Sequence, residues 1–524
     1  MDSRARQDEQ KIANGAESML ATLLAGGVDV CFANPGTSEI HFVAALDRFE
    51  GMRCLLGLHE SVVVGCADGY GRMAGRPAAT MLHLGPGLAN GLSNLHNARR
   101  AGTGIVNLVG EHATSHLHLD APLNSDIRAI AAPFTHWSKT AVDARSLAQD
   151  TAEAIAAARS FGGQIATLIV PADAAWGPAH QPGRPLKASP LARVQDTAVD
   201  HAARVLRSGE PAAILLTGGA LRNEPLRLAN RIAKTTGAKL FAQSFNARME
   251  RGAGRPPIES LPFVAASAMT VLAPYRHLIL VGSKAPVAFF AHPGRPSVLT
   301  HPDCEIHVLA TPREDGPAAL SALAGALNAG GSVDLTPRVA LSSPRGAITT
   351  QSLGEAIAAA IPENAIVVDE SLTSGRSLLA LTAHAAPHDL LQNLGGSIGV
   401  GLSLATGAAI ACPDRKVLCL ESDGSGLYAP QALWTQARES LNVTTLIFSN
   451  RAYAVLKHEL HNMGVNNAVR ASAVLELDRP SIDWVCLARS FGVPAERVDT
   501  IEDVHAALIR AMHVDGPALI EALF

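Results

Sequence analysis

Short apolar runs alternate along the chain with longer segments in which apolar residues recur every three or four positions. Val28–Phe32, Ala79–Leu84, Gly104–Val109 and Ala166–Val170 are too short for helices and read as buried strands. Between them Ala16–Ala25 and Ser61–Met73 carry the helical period. This alternation predicts a doubly wound parallel sheet. It stops at Trp176–Ser189, WGPAHQPGRPLKAS, a Pro- and Gly-rich linker. It resumes with strands at Ala213–Leu216, Lys239–Phe241, His277–Val281 and Glu305–Leu309, and pauses again over Ser332–Pro344. A last set follows at Ala365–Val368, Lys416–Leu420, Thr444–Phe448 and Ala518–Glu521. The expected class is α/β, with three doubly wound parallel-sheet domains over residues 15–185, 190–335 and 345–524, after a disordered N-terminus at 1–14.

Composition supports this division. Of the 524 residues, 48 % are hydrophobic and only 4 % aromatic, which suits closely packed α/β layers better than an aromatic-rich sandwich. The net charge of −4 comes without a long basic run, so nucleic acid is not an expected partner. No apolar window reaches the ~18 residues of a membrane span, and the charged N-terminus lacks the apolar core of a secretory signal. Seven scattered cysteines without a CxxC read as free thiols in a reducing cytoplasm, not as disulfides or a zinc site.

One stretch breaks the pattern. The apolar run Val417–Leu420 ends abruptly at Glu421-Ser422-Asp423-Gly424-Ser425-Gly426. A second strand, TTLIFS, ends at Asn450, 27 residues after Asp423. One crossover helix with its loops fits that interval, which would put Asp423 and Asn450 at the carboxyl ends of neighbouring parallel strands, where such sheets bind ligands. Asp and Asn oxygens are hard donors suited to Mg²⁺ or Ca²⁺. The Gly-Ser-Gly turn leaves backbone N–H groups for an anion. Metal and anion together suit a diphosphate; a plain strand-to-helix turn capped by Asp423 is the alternative.

The combination resembles the thiamine diphosphate (ThDP) enzyme superfamily, whose signature joins a GDG turn to a downstream Asn. Here Ser422 replaces the first glycine. The resemblance implies Asp423, Asn450 and the Ala452 carbonyl as Mg²⁺ ligands, and Gly424 and Ser425 on the diphosphate. It further implies Ser371 and Thr373 as cofactor contacts. In Asn393-Leu394-Gly395-Gly396-Ser397-Ile398-Gly399 it assigns the Gly396 carbonyl to the cofactor's amino group and Ile398 to the support of its bent form. Upstream, "HE…ADGYGRMAGRPA" is similar to the superfamily's glutamate motif, so Glu60 becomes the carboxyl that hydrogen-bonds the pyrimidine ring. Read alone, Glu60 would be an acid favoured at a helix start. The three blocks then become pyrimidine-binding, central and diphosphate-binding domains. The implied assembly is a homodimer or homotetramer with the active site at the subunit interface.

Finer features point to the branch that contains benzoylformate decarboxylase and acetolactate synthase. "NPGTSE" resembles the decarboxylase loop whose hydroxyl contacts the substrate carboxylate, with Thr37 at that position. "RPAATMLHLGPG" places His83 where that decarboxylase has an active-site histidine, a residue type able to move protons near neutral pH. The second histidine of that enzyme falls on Ala291, with His292 next to it. His112, His116 and His118 read as loop histidines, and His458 with Glu459 as polar substrate-pocket residues. The expected activity is therefore decarboxylation of a small 2-oxo acid with carboligation. Acetolactate synthase chemistry is the runner-up, ahead of an acyl-CoA lyase or a non-catalytic ThDP-binding subunit.

Overall fold

The computed structural model describes residues 12–341, 343–465 and 469–524. Most of the expected disordered N-terminus lies outside these residues. Its last part is ordered: Ile12 is buried and Asn14 caps the helix α1 (Gly15–Ala25) by accepting from the Glu17 N–H.

Three α/β sheets follow one another. The first holds β1 (Val30–Asn34), β2 (Arg53–Leu56), β3 (Ala78–Leu82), β4 (Ile105–Glu111), β5 (Trp137–Thr140) and β6 (Ile165–Pro171), all parallel, in the order β2-β1-β3-β4-β6-β5. The central block supplies β7 (Ala212–Leu216), β8 (Lys239–Ala242), β9 (Met249–Arg251), β10 (Glu259–Ser260), β11 (His277–Val281) and β12 (Glu305–Ala310). Five of these form a parallel sheet, β10-β8-β7-β11-β12. The last block holds β13 (Ala365–Glu370), β14 (His388–Gln392), β15 (Val417–Ser422), β16 (Val443–Ser449), β17 (Ala495–Val498) and β18 (Ala518–Leu523). Its sheet runs β17-β18-β16-β15-β13-β14-β9.

Interior strands follow the apolar runs closely because they are buried on both faces. One expected strand is shorter than its run: β3 ends at Leu82, and His83 and Leu84 turn into a helix. The central block is less separate than its linkers suggest. Its β9 crosses to the third sheet and pairs antiparallel with β14, Met249 opposite Leu390.

The first and third blocks meet through two helices, α2 (Glu60–Ala74) and, after α3 (Leu84–Ala101), α4 (Gly401–Ala411). Small residues let the backbones of α2 and α4 touch. A Cβ on Gly69 would stand 2.0 Å from the Leu404 carbonyl oxygen, and one on Gly407 1.9 Å from that of Cys66. Buried Arg72 locks the junction: it pairs bidentately with Asp68 at 2.8 and 2.6 Å and donates to the carbonyls of Ala247 and Gln392. One guanidinium thus ties together segments from all three blocks.

Gly69→Ala forces two backbones apart and is expected to cost about 1–3 kcal/mol in chemical unfolding. Gly325→Ala, in a helix where the new methyl meets no described residue within 4 Å, is expected to be neutral or slightly stabilising. Equal effects would contradict the close crossing.

Candidate active site

At the carboxyl edge of the third sheet, β15 and β16 pair in parallel, with Ser422 opposite Phe448. Asp423 and Asn450 are the next residues out on their strands. The Asp423 carboxylate is buried and accepts from the Arg451 N–H at 2.6 Å and the Gly424 N–H at 2.9 Å. Asn450 Oδ1 accepts from the Ala452 N–H at 2.9 Å. Arg451, between them, takes a positive φ of 55°, a conformation that costs a non-glycine residue and gathers at functional edges. Among the described residues no Lys or Arg side chain pairs with Asp423. Burial pushes its carboxyl up to about 6. Gly424, Ser425 and Gly426 follow in a tight turn whose leading N–H groups have no intrahelical acceptor.

Behind this edge lie two acids that the sequence did not single out. Glu370 and Glu421 are register partners on β13 and β15, and both are buried. Glu370 holds the loop around Ile398: it accepts from Asn393 Nδ2 at 2.9 Å and from the N–H groups of Gly399 at 3.1 Å and Gly401 at 2.7 Å. Glu421 accepts from the Ser422 N–H and from Ser425 Oγ, but its buried Oε2 has no hydrogen-bond partner among the described residues. The same loop docks on α3, where Asn97 Nδ2 donates to the Ser397 carbonyl at 2.7 Å and His96 faces the Gly395 carbonyl at 3.1 Å.

At the carboxyl edge of the first sheet, Glu60 opens α2 and is 7 % exposed. Its Oε2 accepts from Asn90 Nδ2 at 3.0 Å. Gly87 keeps the space beside it clear: a Cβ there would lie 3.1 Å from Glu60 Oε1 and 3.4 Å from His83 Cβ. Glu60 and His83 are therefore close neighbours across a glycine. His83 precedes α3, and the next residue, Leu84, has φ 53°. His83 Nδ1 lies 2.8 Å from Glu39 Oε2 and 3.2 Å from Ser38 Oγ. A carboxylate only accepts, so Nδ1–H donates to Glu39 and Nε2 is the nitrogen left to exchange a proton.

Other residues stand apart. Thr37 is exposed, and the hydroxyl beside His83 belongs to Ser38, one residue on. Ser371 Oγ donates to Asp369 at 2.5 Å, while Thr373 is half-buried in the same turn. Ile398 is half-buried and Gly396 exposed, with φ 79°. From the segment containing Ala291 and His292, it is Phe289 that reaches this loop: a Cβ on Gly396 would stand 2.7 Å from its ring. Phe289 packs in turn against Phe263 at a tilt and Phe290 edge to face. The rings of His112 and His116 lie 5.5 Å apart, and His116, His118 and His458 are exposed. Glu459 accepts from Asn462 within its own helix. Among the described residues, the loop histidines form no metal-ligand cluster.

The paired acids carry a prediction. Burial pushes Glu370 up to about 7, and burial followed by the Glu370 charge holds Glu421 well above the ordinary carboxylate range. The folded chain keeps a proton that the unfolded chain has already released. Stability from this source is full at low pH and is lost as pH rises toward 7. Glu421→Gln is therefore expected to raise the thermal midpoint at about pH 8 and to change it little at about pH 5. Shifts of equal size at both pH values would contradict a proton retained by these buried acids.

Comparison with known proteins supports the same division of labour between the two ends of the chain. Residues 13–144 match the thiamine pyrophosphate enzyme N-terminal TPP binding domain, and residues 375–522 the C-terminal TPP binding domain. A Mycobacterium tuberculosis protein named "Putative acetolactate synthase large subunit IlvX" is 48 % identical over 513 residues, covering 97 % of this chain and 99 % of that one. Benzoylformate decarboxylase of Pseudomonas aeruginosa is 29 % identical, covering 94 % and 96 %. Among solved structures, the Rhodococcus jostii RHA1 thiamine diphosphate-dependent 4-hydroxybenzoylformate decarboxylase superposes with a TM-score of 0.83 at 25 % identity, covering 97 % and 98 %. With both terminal blocks matched and nearly the whole length aligned, the chain belongs to the thiamine pyrophosphate enzyme family.

Proposed function

We propose that the protein is a ThDP- and Mg²⁺-dependent lyase that decarboxylates a small 2-oxo acid and joins the resulting carbon unit to an aldehyde. The residues fit both groups. Among the described residues Asp423 is a buried carboxylate paired with no cationic side chain, and Asn450 adds a second hard oxygen from the neighbouring strand end. With the Ala452 carbonyl they would hold Mg²⁺, and the cation would return Asp423 to its charged form. Gly424 and Ser425 would hold the diphosphate. When bound, ThDP supplies the nucleophilic carbon and the electron sink for decarboxylation.

The chain's own residues do the rest. Glu60, buried at the start of α2, would hydrogen-bond the pyrimidine ring. Glu370 fixes the Gly396–Ile398 loop that would face that ring. His83 moves the substrate proton through Nε2, with Glu39 setting its tautomer. Thr37, exposed at the turn's start, offers its hydroxyl for the substrate carboxylate, while Ser38 donates to Glu39 and braces the His83 side of the turn. We further propose a homodimer or homotetramer in which Glu60 of one subunit serves the Asp423 edge of another, since no hydrogen bond joins the two groups within the described chain. Seven unpaired cysteines fit a cytoplasmic protein.

The carrying observation is the Glu39–His83–Glu60 arrangement, a positioned proton carrier beside the activating acid. A second reading, acetolactate synthase chemistry on pyruvate, is favoured by the name of the 48 % identical relative. The two separate when purified protein with ThDP and Mg²⁺ is given benzoylformate and pyruvate in parallel. Aldehyde from the first substrate supports decarboxylation, and acetolactate without aldehyde supports the second reading. Glu60→Gln is expected to keep cofactor binding and lose turnover by roughly 10²–10⁴-fold. Undiminished turnover would remove Glu60 from its role.

A further inference from the structure

A second polar cluster lies in the central domain, at the amino ends of β11 and β12, the edge opposite the one where such sheets bind ligands. The strands pair in parallel with His277 opposite Glu305 and Ile279 opposite His307. Alternation along each strand puts all four on one face of the sheet. Further along, Ile279 and Val281 enter the apolar core. At the strand starts, histidines and acids replace them. The helix Asp196–Arg207 packs over this core and contributes His201.

The contacts are short and specific. His277 Nδ1 and His307 Nε2 face each other at 3.1 Å. Glu305 Oε2 lies 3.9 Å from each of them. Two metal bonds of about 2.0–2.2 Å at a tetrahedral angle span about 3.4 Å, and these separations bracket that figure. The outer nitrogens are held as well. His277 Nε2 is 2.7 Å from Glu210 Oε2, and His307 Nδ1 is 2.9 Å from His201 Nε2. The Glu210 carboxylate requires a proton on His277 Nε2, which turns the Nδ1 lone pair inward. A proton on His307 Nδ1, donated to His201, turns the Nε2 lone pair inward too. Two lone pairs and a carboxylate then converge on one point, an arrangement that a cation satisfies.

We propose that His277, His307 and Glu305 bind one divalent transition-metal ion of the zinc type, with Glu210 and His201 as positioning residues and water completing the shell. Two imidazoles and one carboxylate select borderline ions over the hard cations suited to the Asp423 edge. The Glu305 side chain is 72 % exposed, so the ion enters from solvent. The site clamps β11, β12 and the covering helix together, away from the cofactor edge.

Co²⁺ reports on such a site through its visible absorption, and excess Mg²⁺ leaves the reading undisturbed. ThDP- and Mg²⁺-loaded full-length protein is titrated with Co²⁺. The expected result is one saturable equivalent per chain and a raised thermal midpoint. Glu305→Gln, at an exposed side chain that leaves the fold intact, is expected to weaken binding at least tenfold. His307→Ala is expected to abolish it. His201→Gln is expected to weaken it about 10–100-fold. His112→Ala is expected to leave it unchanged. Absence of a saturable signal, or equal Co²⁺ affinity in wild type and Glu305→Gln, would overturn the proposal.

Discussion

The structure depends on one pairing: β15 and β16 lie side by side, parallel and in register. Each strand is buried on both faces, so a one-residue slip would exchange its two packed faces and disrupt the fit on each. That constraint delivers Asp423 and Asn450 to the same point from positions 27 residues apart. β13, on the far side of β15, brings Glu370 opposite Glu421 by the same logic. Backbone pairing in the core thus sets the positions of the polar atoms at the edge.

A second constraint carries that edge toward the first sheet. α2 begins at Glu60 and, further along, crosses α4 at Gly69. α4 begins at Gly401, whose N–H is held by Glu370. Each helix of the pair that joins the two domains thus starts at a candidate-site residue or at a backbone group held by one. Arg72 adds charge-assisted bonds to the same junction from within the core. Larger residues at the crossing would separate the two sheets and the acids at their edges.

How much of this was legible in the sequence follows from the same physics. Interior strands announce themselves as apolar runs because both faces are buried. β2, β5 and β17 were missed because edge strands carry polar residues and lose that signal, whereas β14, inside its sheet, was missed because the buried polar residues His388, Asp389 and Gln392 break its apolar run. Asp423 and Asn450 could be read because their spacing fits one crossover. Glu39 could not, since it meets His83 only where neighbouring strand ends converge, 44 residues apart. Whether Thr37 or Ser38 faces the histidine is decided by a single 3₁₀ turn, which no periodicity reveals. Glu305 and His307 alternate within one ordinary strand pattern, and only the β11–β12 register brings His277 to them.

The test closest to the centre is calorimetric titration of ThDP into the purified protein at saturating Mg²⁺, repeated with Asp423→Ala. Saturable binding by wild type and its loss in the variant are the expected results. Equal affinity in the two proteins, or no uptake by wild type, would contradict a cofactor anchored through magnesium at the β15–β16 edge.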